Sequence, residues 1–90
     1  MEIKGIIERM SEITTGLTKN GNNWTKREII VTEINEKYPQ RAKIVAMNKV
    51  CDQLDSLGEG SEVIVKFNVQ ASDYNGNCFN NLNAYSIAKV

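Results

Sequence analysis

Apolar and polar residues alternate along much of the chain, most clearly in residues 61–71, where apolar side chains occupy every second position from Val63 to Val69. A period of two is the pattern of a half-buried β-strand. Segments rich in β-branched and aromatic residues, separated by turns such as Asn75-Gly76, extend the prediction to five strands. The predicted strands are Glu2–Ile13, Trp24–Ile34, Gln40–Met47, Ser61–Ala71 and Cys78–Ala88.

One segment, residues 48–57, breaks this alternation. Its apolar residues Val50, Leu54 and Leu57 are spaced i, i+4 and i+7, which places them on one face of a helix. Asn48 precedes this stripe, and asparagine is a favoured N-cap residue. The spacing therefore predicts one short helix that begins after Asn48.

The predicted order of elements is β-β-β-α-β-β, which indicates an all-β protein with one short helix. Five strands with a single helix between the third and fourth is the arrangement of the OB fold, a Greek-key barrel that the helix plugs at one end. An SH3-like barrel also has about five strands, but it would not place a helix of this length there. At 90 residues the chain has room for one domain, so we expect residues 1–90 to form a single OB-fold domain.

The composition argues against catalysis and against a metal site. The sequence has no histidine, and its two cysteines, Cys51 and Cys78, are far apart. A Ser-His or Cys-His nucleophile pair is therefore impossible within this chain, and no local cluster of zinc ligands exists. We expect a non-enzymatic protein with no catalytic residues, no metal and no cofactor.

No segment suggests a membrane or a secretory route. The longest unbroken apolar run is Ile44–Met47, far short of the roughly 20 residues that span a bilayer. The opening residues Met1–Gly5 lack the basic and apolar regions of a signal peptide. The expectation is a cytoplasmic protein with no membrane partner.

The net charge is zero, but the charges are unevenly distributed. Residues 15–50 contain seven lysines and arginines against three glutamates, an excess of four positive charges. This basic segment covers the second and third predicted strands. A net charge of zero argues against a strong general attraction to polyanions, whereas the basic segment in the middle of the chain permits a local attraction.

Several motifs are familiar in their order and spacing. The segments Ile3–Ile7 (IKGII) and Asn20–Thr25 (NGNNWT) resemble the opening of bacterial single-stranded DNA-binding proteins. Leu57–Val65 (LGEGSEVIV) and Asp73–Phe79 (DYNGNCF) resemble that family's fourth strand and its last hairpin. Nearly the whole chain is also similar to a small family of uncharacterised bacterial proteins built as a bare OB domain. It departs from that family at Cys78, where an aromatic residue is common. The resemblance implies an OB fold, single-strand binding and a homodimer or homotetramer.

OB folds bind oligonucleotides on the face of their second and third strands and on the loops beside it. Single strands are held there by lysine or arginine and by aromatic rings on which bases stack. In this chain the candidate residues for both kinds of contact, basic and aromatic, are Lys19, Trp24, Lys26, Arg41, Lys43 and Tyr74. Lys19 belongs to the loop predicted around residues 15–23, and Tyr74 precedes the last hairpin turn.

Purely structural roles stand beside these assignments. Trp24 could cap the barrel core, Tyr74 could pack across its own hairpin, and Arg41 and Lys43 could form an ordinary solvated strand face. Three further aromatic residues, Phe67, Phe79 and Tyr85, are predicted to lie in the core or an interface, and Cys51 is predicted to be buried beside the helix.

Two functions of different class follow from the sequence. The first is sequence-tolerant binding of single-stranded nucleic acid, with DNA favoured over RNA. The second is a protein-interaction or assembly module that uses the same barrel without nucleic acid. OB folds serve both purposes, so the fold does not decide between them.

Overall fold

The computed structural model of this protein describes residues 1–34 and 36–90. Within these residues lie six strands and one short helix that continues into a 3₁₀ turn. They are β1 (Glu2–Met10), β2 (Thr14–Leu17), β3 (Asn23–Glu33), β4 (Arg41–Met47), α1 (Lys49–Gln53), the 3₁₀ turn (Leu54–Ser56), β5 (Glu62–Tyr74) and β6 (Asn77–Lys89). The predicted β-β-β-α-β-β order is confirmed, with β2 as a short addition inside the segment predicted to be a loop.

The strands form one sheet in the order β1-β5-β6-β4-β3-β2, and a further pairing of β1 with β3 closes it into a barrel. Gly5 permits this closure. A Cβ atom at Gly5 would lie 2.2 Å from the carbonyl oxygen of Thr32, so β1 can approach β3 this closely only without a side chain there. The fold is therefore the predicted OB barrel.

Apolar side chains from five strands and the helix fill the barrel. The buried residues are Ile7, Ile29, Val31, Ile44, Ala46, Cys51, Leu54, Val63, Val65, Phe67 and Ile87. The alternation predicted for β5 is confirmed from Val63 to Phe67. Val69 continues the pattern but is 47% exposed, because β5 has left the barrel at that point.

The helix covers one end of the barrel. Leu54 and Cys51 are buried there, and the side-chain oxygen of Gln53 accepts a hydrogen bond from the backbone N–H of Ile87 at 3.2 Å. The expected role of Asn48 is wrong in one respect, since its side chain makes no cap hydrogen bond. Its Oδ1 atom instead accepts a bond from the backbone N–H of Thr25 at 3.2 Å, which ties the start of the helix to β3.

The hairpin of β5 and β6 projects beyond the barrel. β1 pairs with β5 only as far as Lys66, and β4 meets β6 at the single pair Val45–Asn83. Residues 68–82, here called the arm, therefore form a two-stranded extension of a molecule that measures 45 × 36 × 20 Å. Its turn at Asn75-Gly76 has two positive φ angles, 50° and 80°, as a two-residue hairpin turn requires. In the part of the chain that the structure describes, no helix has the length and apolar character to cross a membrane.

Candidate nucleic-acid interface

The outward side of β3 and β4 brings together the four strand residues predicted from the sequence. Ile29 and Val31 point into the barrel, so the alternate residues of β3 point away from it. The pairs Lys26–Met47, Ile30–Lys43 and Thr32–Arg41 carry this side across to β4. We call this surface the outer face. It consists of Trp24, Lys26, Glu28, Ile30 and Thr32 of β3 and Arg41, Lys43, Val45 and Met47 of β4.

Trp24 lies at one end of the outer face, directly against Gly16 of β2. The two residues form a cross-strand pair, and a Cβ atom at Gly16 would lie 2.3 Å from a carbon of the indole ring. An aromatic ring that covers a glycine on a neighbouring strand stabilises that pairing. Trp24 is therefore half-buried by β2 and does not belong to the barrel core.

The two predicted loop residues lie at the ends of hairpins. Lys19 is exposed in the turn between β2 and β3, where the backbone N–H of Gly21 donates to the carbonyl of Thr18 at 3.0 Å. Tyr74 ends β5 in the arm and is 70% exposed, so packing across its own hairpin leaves most of it in solvent. The structure thus presents both residues to solvent, each at the tip of a different hairpin.

The register of the sheet connects the arm to the outer face. Val45 of the outer face pairs with Asn83 of β6, so the side of the arm that carries Asn83 continues the outer face. Ser72 pairs with Phe79 in the arm, which places Phe79 and Tyr74 on that same side. Phe79 is 52% exposed. Aromatic side chains therefore stand at both ends of one continuous surface.

Phe67 is buried in the core, whereas Phe79 and Tyr85 are exposed and lie outside it, so of the two predicted places only an interface is left for them. The two-residue turn at Asn75-Gly76 pairs Tyr74 with Asn77, and this register alone assigns Phe79 to the polar side of the hairpin. Tyr85 is 53% exposed because a register shift opposite Lys66 and Phe67 leaves it outside the alternation. No pattern in the sequence marks that shift.

Sequence reasoning missed Arg9, which the structure adds to the same surface. A bulge between Ile7 and Arg9 inserts one residue into β1, so that Arg9 pairs with Ile30 of the outer face. Ile30 in turn pairs with Lys43, and Arg9 and Lys43 therefore lie on either side of it. Arg9, Arg41 and Lys43 line a depression of about 220 Å³ around Ile30.

Two carboxylates accompany these cations. The Arg41 guanidinium donates to Glu8 Oε2 from Nη2 at 2.7 Å and from Nε at 3.0 Å. These hydrogen bonds to Arg41 hold the pKa of the Glu8 carboxyl below its ordinary value of 4.5. Lys43 Nζ lies 3.6 Å from Glu28 Oε2. The surface thus combines four cations, Arg9, Lys26, Arg41 and Lys43, with two glutamates.

Neither cysteine adds chemistry to this surface. Cys51 is buried beside Leu54, as predicted, and Cys78 is an exposed free thiol in the arm. The residues that the structure describes contain no group of three or more Cys, Asp or Glu side chains placed to hold a metal ion. The arrangement can attract an anion and offer aromatic rings to a ligand.

The closed sheet and its helix define an OB-fold protein. The chain belongs to the family described as a domain of unknown function, DUF3127, which matches residues 2–88. No curated protein matches the sequence.

Solved structures with the same fold include three proteins whose names refer to DNA binding or replication. The mitochondrial single-stranded DNA-binding protein Rim1 of S. cerevisiae is 21% identical with a TM-score of 0.68, over 100% of this chain and 92% of that one. The second OB-fold domain of replication protein A from Methanococcus maripaludis is 12% identical with a TM-score of 0.71, over 99% and 81%. A small single-stranded DNA-binding protein from Streptomyces coelicolor is 15% identical with a TM-score of 0.53, over 100% and 92%.

Proposed function

We propose that this protein binds single-stranded nucleic acid, DNA in preference to RNA, with little dependence on sequence. The observation that carries the proposal is the register across β3, β4 and β6, which puts Trp24, Lys26, Arg41, Lys43 and Tyr74 on one side of the sheet. Aromatic rings provide stacking for bases, and lysine and arginine replace the counterions of the phosphates. Lys19, at the tip of the β2–β3 hairpin, extends this surface beyond Trp24.

The arm adds neutral polar groups between the cations and the Tyr74 ring. Gln70 and Asn81 form a cross-strand pair on this side, and Asn83 continues the row toward Val45. Asn81 Nδ2 donates to Ser72 Oγ at 3.0 Å, which leaves its carbonyl oxygen and second N–H able to bond a base edge. Because an amide group has both donors and an acceptor, it can bond to the edge of any base, which agrees with binding that tolerates sequence variation.

The comparisons support this proposal at the level of the fold. Two of the similar structures carry names that describe single-stranded DNA binding, and they span this chain from end to end. Because one fold serves many functions, the likeness raises the expectation without assigning the role. The proposed function therefore rests on the side chains of the outer face and the arm.

A second candidate function, protein interaction or assembly, has one specific observation in its favour. The arm contains a single charged side chain, Asp73, and each of its strands has an edge that no strand of the barrel covers in the described residues. Uncovered, charge-poor strand edges pair readily with other chains. For both functions we propose a homodimer or homotetramer, in which linked sites would raise avidity for a long ligand.

Oligonucleotide binding tests the proposal directly. Labelled oligo-dT and oligo-U are titrated with protein at low salt, and binding is followed by anisotropy and by the fluorescence of Trp24, the only tryptophan. We expect quenching that added salt reverses, with a slope of log affinity against log salt no steeper than about −3, the limit for four phosphate contacts. Loss of one stacked base in Trp24→Ala should weaken binding by about tenfold or more.

A charge-matched pair of variants localises the binding. Lys43→Glu reverses a charge on the outer face, whereas Lys66→Glu makes the same change on β5, opposite Glu2 and away from β4. We expect the first to weaken binding strongly and the second to leave it nearly unchanged. Absence of both quenching and an anisotropy change would refute nucleic-acid binding and favour the assembly function.

A further inference from the structure

We propose that Glu8 and Glu28 determine the affinity of the outer face by competing with ligand phosphates for Arg41 and Lys43. This inference rests on the proposed function, since it concerns the same surface. The two glutamates were not among the residues singled out from the sequence. Their role follows from where the bulge of β1 and the register of β3 place them.

Glu8 is held on Arg41 by several contacts. It lies between Ile7 and Arg9, where the bulge interrupts the alternation of β1. Its Oε2 atom accepts both bonds from Arg41 and a third from Thr32 Oγ1 at 3.3 Å. A carboxylate bound in this way occupies the Nε–Nη2 edge of the guanidinium, one of its two bidentate edges, and offsets the positive charge that would attract a phosphate.

Glu28 stands in a similar relation to Lys43. It lies on β3 one outward position before Ile30, the residue that pairs with Lys43. The 3.6 Å separation of Lys43 Nζ and Glu28 Oε2 is longer than the Glu8–Arg41 contact, and the lysine side chain is 69% exposed. We therefore expect Glu28 to compete less strongly than Glu8, although in the same direction.

The remaining two cations differ from this pair. Within residues 1–34 and 36–90, Arg9 and Lys26 have no carboxylate oxygen within 4.0 Å. A phosphate can approach Arg9 and Lys26 with no carboxylate beside them, whereas at Arg41 and Lys43 it competes with a glutamate for the positive charge. A ligand with several linked phosphates can contact all four cations. Its contacts with Arg9 and Lys26 would hold it in place while other phosphates compete with the glutamates for Arg41 and Lys43.

This competition has a consequence for salt dependence. Phosphates release their counterions when Arg41 and Lys43 bind them, but the displaced glutamates then attract cations from solution. Net ion release is smaller than four cations would give alone. Replacing the glutamates by glutamine should therefore both tighten binding and steepen its dependence on salt.

Glu8→Gln, Glu28→Gln and the double variant test this inference by anisotropy with labelled oligo-dT over a range of salt concentrations. Removing one exposed ion pair that competes with the ligand should lower the dissociation constant of the ligand by about two- to fivefold. We expect that tightening for each single variant and about tenfold for the double variant, with a steeper salt slope. Asp55→Asn in the 3₁₀ turn is the control, because it raises net charge equally away from the outer face. Thermal melting verifies that each variant is folded.

The outcomes separate this inference from the proposed function. Tighter binding by the glutamine variants but not by Asp55→Asn supports the competition, even if the wild type binds too weakly to measure. Binding by the wild type that the glutamine substitutions leave unchanged or weaken would overturn it and leave nucleic-acid binding intact. Failure of the wild type and of the folded double variant to bind would overturn both.

Discussion

At the scale of single residues, Glu8 and Arg9 decide how the outer face is charged. They are neighbours on β1, and regular alternation would send them to opposite sides of the strand. The bulge instead lets Glu8 reach Arg41 while Arg9 flanks Ile30. The bulge in β1 thus brings to this surface both the cation Arg9 and the Glu8 carboxylate, which neutralises Arg41.

The Glu8–Arg41 pair should make stability depend on pH. Because Arg41 lowers the pKa of Glu8 in the folded protein, the pair stabilises the fold above the ordinary pKa of 4.5 and loses this contribution as the pH falls through the lowered value. Urea denaturation of wild type and Glu8→Gln should therefore reveal an advantage for the wild type at pH 7 that shrinks toward pH 3. The control repeats the comparison in the Arg41→Gln background. Without the guanidinium, the protein with Glu8 should be no more stable at pH 7 than the protein with Glu8→Gln. An equal advantage at both pH values would contradict this account.

The alternation of apolar residues could not have predicted the place of Arg9 or Glu8. IIERM at positions 6–10 reads as a strand with either register, and the bulge arises from the pairing of β1 with β3 far along the chain. By contrast, period-two spacing groups Trp24 with Lys26 and Arg41 with Lys43 within each strand, and the register of β3 against β4 then puts the two pairs on one face.

At the scale of elements, the strands that the sequence predicted best are those with the most regular packing. β5 carries alternating core residues, and Asn75-Gly76 forms the turn its residue types favour. The sequence predicts a loop at β2, because its four residues, TTGL, include a glycine and are too few to reveal an alternation of apolar and polar residues. Its pairing depends on Trp24 covering Gly16, a contact between two strands that no local pattern contains.

The closure of the barrel between β1 and β3 depends on Gly5. Gly5→Ala would put a methyl group into the backbone of Thr32, so we expect a loss of about 2–3 kcal/mol in the free energy of unfolding. Gly58→Ala is the matched control, since no atom lies within 4 Å of the added Cβ and Gly58 has no positive φ. We expect that change to stay within about 0.5 kcal/mol. Equal effects of the two substitutions in urea denaturation would show that β1 does not close the barrel as described.

At the scale of the whole molecule, the net charge is zero, yet the outer face carries a cluster of cations. The sheet order β3-β4-β6-β5 runs from Trp24 past the cations to Tyr74 and Phe79 without interruption. Composition predicted a basic middle segment, but not that two of its cations are held by glutamates. That pairing requires the three-dimensional register, since Glu8 and Arg41 are 33 residues apart.

The proposed path of the ligand across the whole molecule can be mapped by the backbone and indole N–H signals in NMR spectra recorded during titration with oligo-dT. We expect the largest shifts at the Trp24 indole, along β3 and β4 around Ile30 and Lys43, and in the arm near Tyr74 and Phe79. Signals from α1 and from Lys66 on β5 should hardly move. Shifts confined to residues 2–6 of β1 and the paired residues 62–66 of β5, or no shifts when oligo-dT is in excess over the folded protein, would contradict the account.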